Sequence, residues 1–221
     1  MNRLIRRSAF AALCIASQAA AAHGSVAGLG NFFSGVVHPL FEPAQLIALV
    51  ALGLLIGQRG LPATRPAALS FVIGAGLGLL SAGFGAAPDT DPFLLAGAGL
   101  IGLAVLSAVH LPRALYAIAA ASVGLGLGLG SAPESVAGSA RIVMLLGSGV
   151  GVCVWMFNVV GLVHEAKRPW LRIGVRVLGS WIAASAVLVT ALAFAPPPRT
   201  PTGPLAQAGK ASVPLVLNVA R

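Results

Sequence analysis

Polar residues in this chain fall in short clusters, and apolar stretches of helical length run between them. Six such stretches follow one another, at 43–58, 67–86, 93–109, 114–130, 142–163 and 173–195. Each approaches the roughly 20 apolar residues that carry an α-helix across a bilayer. The first is short, but it opens at Pro43, where a missing N–H costs a helix least. The apolar segment 32–40 just ahead of it is expected to dip into the membrane interface. The pattern predicts an all-α, polytopic membrane helix bundle of about six transmembrane helices.

The two ends of the chain differ from this middle. Residues 2–7 are basic, 8–17 form a short apolar run, and Ala20-Ala21-Ala22 offers a small-residue cleavage site. That order is the signature of a signal peptide, and its apolar run is too short to span. Cleavage after Ala22 would leave His23-Gly24 as a new N-terminus on the outer side. Residues 196–221 are rich in Pro, Ala and small polar residues and are expected to be disordered. The chain thus divides into a signal peptide at 1–22, a six-helix transmembrane domain at 23–195 and a periplasmic tail at 196–221.

Composition strengthens this reading. Only 9% of residues are charged and 57% are hydrophobic, with a mean hydropathy of +0.94. Soluble domains carry roughly 25% charged residues, so most of this surface must face lipid. The net charge of +9 and pI near 11.5 raise nucleic acid as a partner. The basic residues sit in links between spans rather than on one face, which excludes that partner. Loss of Arg3, Arg6 and Arg7 with the signal peptide leaves 11 basic against 5 acidic residues.

The links alternate in sign. Arg59 and Arg65 occupy the first, Asp89 and Asp91 the second, Arg113 the third, Glu134 the fourth with Arg141 at its end, and Lys167, Arg168 and Arg172 the fifth. Basic links stay in the cytoplasm, so both termini of the cleaved chain lie outside. Signal cleavage independently demands the same orientation, in a bacterial inner membrane. Of the two cysteines, Cys14 leaves with the signal peptide and Cys153 stays alone, so no intramolecular disulfide forms.

Chemistry is sparse. The chain has no nucleophile elbow, no phosphate loop and no paired carboxylates within a span, so an enzyme is not expected. The acids Glu42, Asp89, Asp91, Glu134 and Glu165 all lie at span edges or in links, leaving no carboxylate to carry a coupling ion. No cofactor is implied. Of the four histidines, His110 and His164 sit at inner span ends and read as interfacial side chains. His23 and His38 lie on the outer side, and imidazole is a good ligand for nickel, copper or zinc. His23, as a new N-terminus, would add an α-amino group as a second ligand. Glu42 follows His38 four residues on, and Gln45 opens the first span. Asn158, inside the fifth span, is either interhelical glue or the lining of a polar path.

Glycines recur four apart at Gly74 and Gly78, Gly124 and Gly128, and Gly147 and Gly151. Each pair shares a helix face and reads as a small-residue packing surface for a partner helix, within the chain or in a homo-oligomer.

The segment 35–60 resembles the HupE/UreJ family of small bacterial membrane proteins, through His38-Pro39-Leu40 followed by Gln45-Leu46-Ile47-Ala48-Leu49 and Val50-Ala51-Leu52-Gly53-Leu54. The mature start at His-Gly and six spans of similar spacing agree with it. The resemblance implies nickel or cobalt permeation, with His38 matching the first family histidine. Ala44 stands where the family has aspartate and Gln45 where it has histidine. Leu125, Leu127 and Leu129 fall on the family's histidine-rich turn, and Asn158 is the nearest match to a histidine inside the fifth span. The expectation is a divergent transition-metal permease with His38 and His23 as metal ligands and Glu42, Gln45 and Asn158 along the path. The alternatives are a non-transporting accessory or scaffold protein that has lost the metal site, and a carrier of another small solute.

Overall fold

The computed structural model describes residues 28–59, 61–85, 88–133 and 136–193. The predicted signal peptide, His23, Glu134 and the tail lie outside them. The described residues form seven α-helices and no strand: α1 (Gly30–Phe41), α2 (Pro43–Gly57), α3 (Leu61–Gly83), α4 (Asp91–Ser107), α5 (Arg113–Leu129), α6 (Gly138–His164) and α7 (Pro169–Ala193). The chain is an all-α membrane bundle.

Length separates the helices. The windows Thr64–Gly83, Gly138–His164 and Pro169–Ala191 are each long and apolar enough to cross a membrane alone. The α1–α2 pair passes the same test only jointly, and it is bent by 75°. Helices α4 and α5 have 17 residues each, about 25 Å at 1.5 Å per residue, at the short limit for a span. A helix thus stands at each of the six predicted spans, and the first is a broken pair. Segment 32–40 is part of a helix that packs lengthwise on α6.

The break has a local cause. Pro43 disfavours the helical conformation for the residue before it, and Glu42 is extended at φ −93°, ψ 107°. Helix α2 restarts at once, with Leu46 N–H donating to Glu42 O at 2.9 Å. Eleven of its 15 residues are buried. A helix apolar all round belongs in a core, and α2 is the central helix, touching every other one.

Glycines set the register of the remaining pairs. A Cβ on Gly124 would lie 2.5 Å from Phe71 O, and one on Gly128 would lie 2.7 Å from Leu79 N. Gly74 and Gly78 meet the backbone at Ala121 and Leu125 in the same sense, so α3 and α5 run parallel. Gly53 lies against Val159 and Gly57 against Val163, so α2 and α6 are also parallel. Gly99 lies against Ala186 and Gly179 against Val105, so α4 and α7 are antiparallel. From α2 onward the helices therefore alternate up and down. All three glycine pairs that the sequence offers as packing faces are occupied by helices of this same chain.

Alternation sorts the charges by end. Arg59, Arg65, Arg113, Lys167, Arg168 and Arg172 collect at one end of the bundle, with Glu165. Glu42, Asp89 and Asp91 collect at the other, with Arg141. The bundle thus has a basic end and an acidic end.

Candidate functional site

The acidic end holds a group of buried polar side chains around the α1–α2 break. Helix α1 is pressed onto α6 along Gly35, Gly147 and Gly151. A Cβ on Gly35 would lie 2.8 Å from Ser148 N, and one on Gly151 would lie 2.8 Å from the carbonyl carbon of Val36. The Trp155 Nε1–H donates to Val36 O at 3.0 Å and ties the two helices together. This packing fixes His38, which is half-buried, with its Nε2 atom buried and without a hydrogen-bond partner.

Across the break, Gln45 is 2% exposed. Its Nε2 donates to Gly130 O at 2.9 Å, while its Oε1 is buried and unpartnered. Gly130 leaves room for this contact, because a Cβ there would lie 2.5 Å from Thr90 Oγ1 and 3.2 Å from Gln45 Nε2. Thr90 and Ser131 are also buried, and Ser131 Oγ donates to Leu127 O at 2.7 Å. On α6, Ser148 is fully buried with its hydroxyl unpartnered. Three neighbouring helices thus carry orphaned polar atoms toward this end: His38 Nε2 on α1, Gln45 Oε1 on α2, and Arg141 Nε and Ser148 Oγ on α6. Such an atom costs about 1–3 kcal/mol unless something outside the protein satisfies it.

The surrounding charge is negative. Glu42 is half-buried at the break itself. Asp89 Oδ1 accepts from the Asp91 N–H at 3.1 Å, ahead of the apolar part of α4. Burial, and then the neighbouring Asp89, raise the Asp91 carboxyl above the usual carboxylate range. Arg141 donates through Nη2 to Ala82 O at 2.8 Å, and its Nε is buried without a partner.

His38, Glu42 and Gln45 flank the α1–α2 break, and Asn158 lies apart from it. Gly53 of α2 is level with Val159 of α6, and Gln45 is eight residues, about 12 Å, nearer the acidic end. Asn158 is exposed on the outside of the bundle, and its Nδ2 donates to Val154 O of its own helix at 2.8 Å. The three leucines at the end of α5 take different roles. Leu127 is fully buried in the core, Leu125 is 39% exposed and Leu129 is half-buried. Among the described residues no group of three or more His, Cys, Asp or Glu side chains could hold a metal ion. The sequence reading missed Ser148, Thr90 and Ser131. Their only signal is a small hydroxyl within or beside an apolar span.

No curated protein and no solved structure matches this chain. The sequence model of the HupE / UreJ protein family matches residues 11–189, which takes in the broken first span and all the helices that surround it. The chain belongs to the HupE/UreJ family.

Proposed function

We propose that this protein is a permease for a divalent transition-metal ion, nickel or cobalt, that enters at the acidic end past His38, Gln45 and Ser148. The observation that carries the reading is the buried, unpartnered Nε2 of His38 at the break between α1 and α2. A neutral imidazole nitrogen is a good ligand for these metals, and amide and hydroxyl oxygens are weaker ones. One nitrogen with two oxygens holds an ion loosely. Loose holding suits a conduit, which must release what it binds. Glu42, Asp89 and Asp91 draw cations to that end. His23, if freed by signal cleavage, would add ligands there. The positive-inside rule places the basic end in the cytoplasm and the acidic end outside, in a multi-pass inner-membrane protein. No constellation of acid, base and nucleophile among the described residues supports catalysis.

A second reading is a non-transporting accessory membrane protein. It is favoured by Leu127, whose side chain fills the core at the end of α5 where the resemblance expects an imidazole.

Accumulation of radiolabelled nickel and cobalt decides between them. Cells expressing the chain, cells expressing His38→Ala at equal membrane levels and empty-vector cells are compared. Uptake above vector that falls in His38→Ala supports the permease. Uptake equal to vector, with the protein in the membrane, refutes it and leaves the accessory role.

A further inference from the structure

The basic end contains a second polar feature, unconnected to the metal-ion reading. A cavity of about 480 Å³ opens between the C-terminal ends of α2 and α4 and the turn joining α6 to α7. Its volume lies in the range of small-ligand sites, roughly 300–1,000 Å³. Arg59, His164, Lys167, Arg172 and Arg176 line it, and no carboxylate does. Glu165, just outside, pairs with Lys167 at 3.3 Å, with both side chains largely exposed.

Two of these cations are held in place by the backbone. Arg59 Nη2 donates to Ala108 O at 2.9 Å and to Val109 O, and Arg176 Nε donates to Leu106 O at 2.8 Å. These bonds close the C-terminus of α4, where Ala108 adopts φ 51°. They leave donors over. Arg59 Nε is buried without a partner. The Arg172 guanidinium makes no hydrogen bond among the described residues. The walls beside the cations are apolar, with Gly57, Val163 and Val175. From the cavity, Ile173, Val177 and Trp181 run along α7 at intervals of four and are 42–66% exposed, an apolar stripe next to Arg172 and Arg176.

We infer that this cavity binds a phosphoryl anion, presented either by an anionic phospholipid headgroup with its chains along α7 or by free phosphate. Guanidinium forks match phosphate oxygens bidentately. Basic pockets between helices at the cytoplasmic face are suited to anionic headgroups. A bound phosphoryl group would engage the Arg172 guanidinium and relieve the repulsion among four cations facing one space.

The test uses the full chain, purified in a neutral detergent and stripped of lipid. It is titrated calorimetrically at constant ionic strength with inorganic phosphate, short-chain phosphatidylglycerol and short-chain phosphatidylcholine. Saturable binding of phosphate identifies the free anion as ligand, and saturable binding of phosphatidylglycerol without phosphate identifies the headgroup. Either supports the site if Arg172→Gln weakens it about tenfold or more while Arg113→Gln, at the same end but outside the cavity, does not. Lys167→Gln, at an exposed position, repeats the test should Arg172→Gln not fold. Absence of saturable binding, equal binding of the two lipids, or equal weakening by Arg172→Gln and Arg113→Gln overturns the inference.

Discussion

Helix α6 contains its own controlled experiment, because its glycines differ in what surrounds them. A Cβ at Gly151 would lie 2.8 Å from the carbonyl carbon of Val36, closer still to its oxygen, and one at Gly147 would lie 2.9 Å from the carbonyl carbon of Phe32. Both obstacles are backbone of α1, which cannot swing aside as a side chain can. Ordinary contact for a Cβ begins at 3.4 Å, so Gly151→Ala must push α1 outward by about 0.6 Å or more. Overpacking of this kind costs typically about 1–3 kcal/mol. At Gly161, on the same helix, a Cβ meets nothing within 4 Å. There alanine should be neutral or gain up to about 1 kcal/mol from helix propensity.

The measurement is the thermal midpoint of each purified variant in one detergent. For a chain of this size 1 kcal/mol corresponds to about 2–4 °C, so Gly147→Ala and Gly151→Ala should each melt at least about 3 °C below Gly161→Ala. Because α1 carries His38, nickel uptake should fall in the first two variants and stay at the wild-type level in the third. If all three melt together, the close approach of α1 to α6 is refuted, and with it the packing of the helix that carries His38.

Other perturbations read out other contacts. Arg59→Ala removes the donors to Ala108 O and Val109 O and should destabilise by about 1–3 kcal/mol in a melting assay, with Arg59→Lys recovering part of the loss. Gln45→Leu removes one hydrogen bond but also an orphaned Oε1, so its melting should change by no more than about 1 kcal/mol while metal uptake falls. Asn158→Leu should leave both melting and uptake unchanged, because its amide bonds only its own helix on the outside of the bundle. Reduced uptake in Asn158→Leu at normal membrane levels would return it to the path.

Most of the fold was readable because lipid demands long apolar runs, and such runs are visible one residue at a time. The first predicted span, 43–58, matches α2 to within a residue. Disagreement comes where a breaker sits in the first turns of a helix. Helix α3 begins at Leu61, six residues before the apolar run, with Pro66 inside it. Helix α6 begins four residues early, at Gly138, and Arg141 in its first turn reaches Ala82 O at the end of α3. No local pattern encodes that contact.

The candidate site was readable only in part, and helical phase is the reason. Sequence places Asn158 and Ser148 on the same apolar helix but does not say which side of it faces the bundle. The docking of Gly147 and Gly151 under α1, and of Val159 and Val163 beside Gly53 and Gly57, decides that side. It turns Ser148 inward and Asn158 outward. Gln45 escapes this ambiguity because α2 is buried on nearly every face, and Pro43 fixes the break that separates it from His38. The end of α5 and the α1–α2 break then carry different energetic weight. At the end of α5, Leu127 fills the core and leaves nothing unsatisfied. At the break, His38 Nε2 and Gln45 Oε1 stay buried without partners, at about 1–3 kcal/mol each. An apolar side chain at either position would remove that cost, as leucine does at 127. On the proposed permease reading a passing cation would offset that cost by binding, which is why the test of function belongs at His38 rather than along α5 or at Asn158.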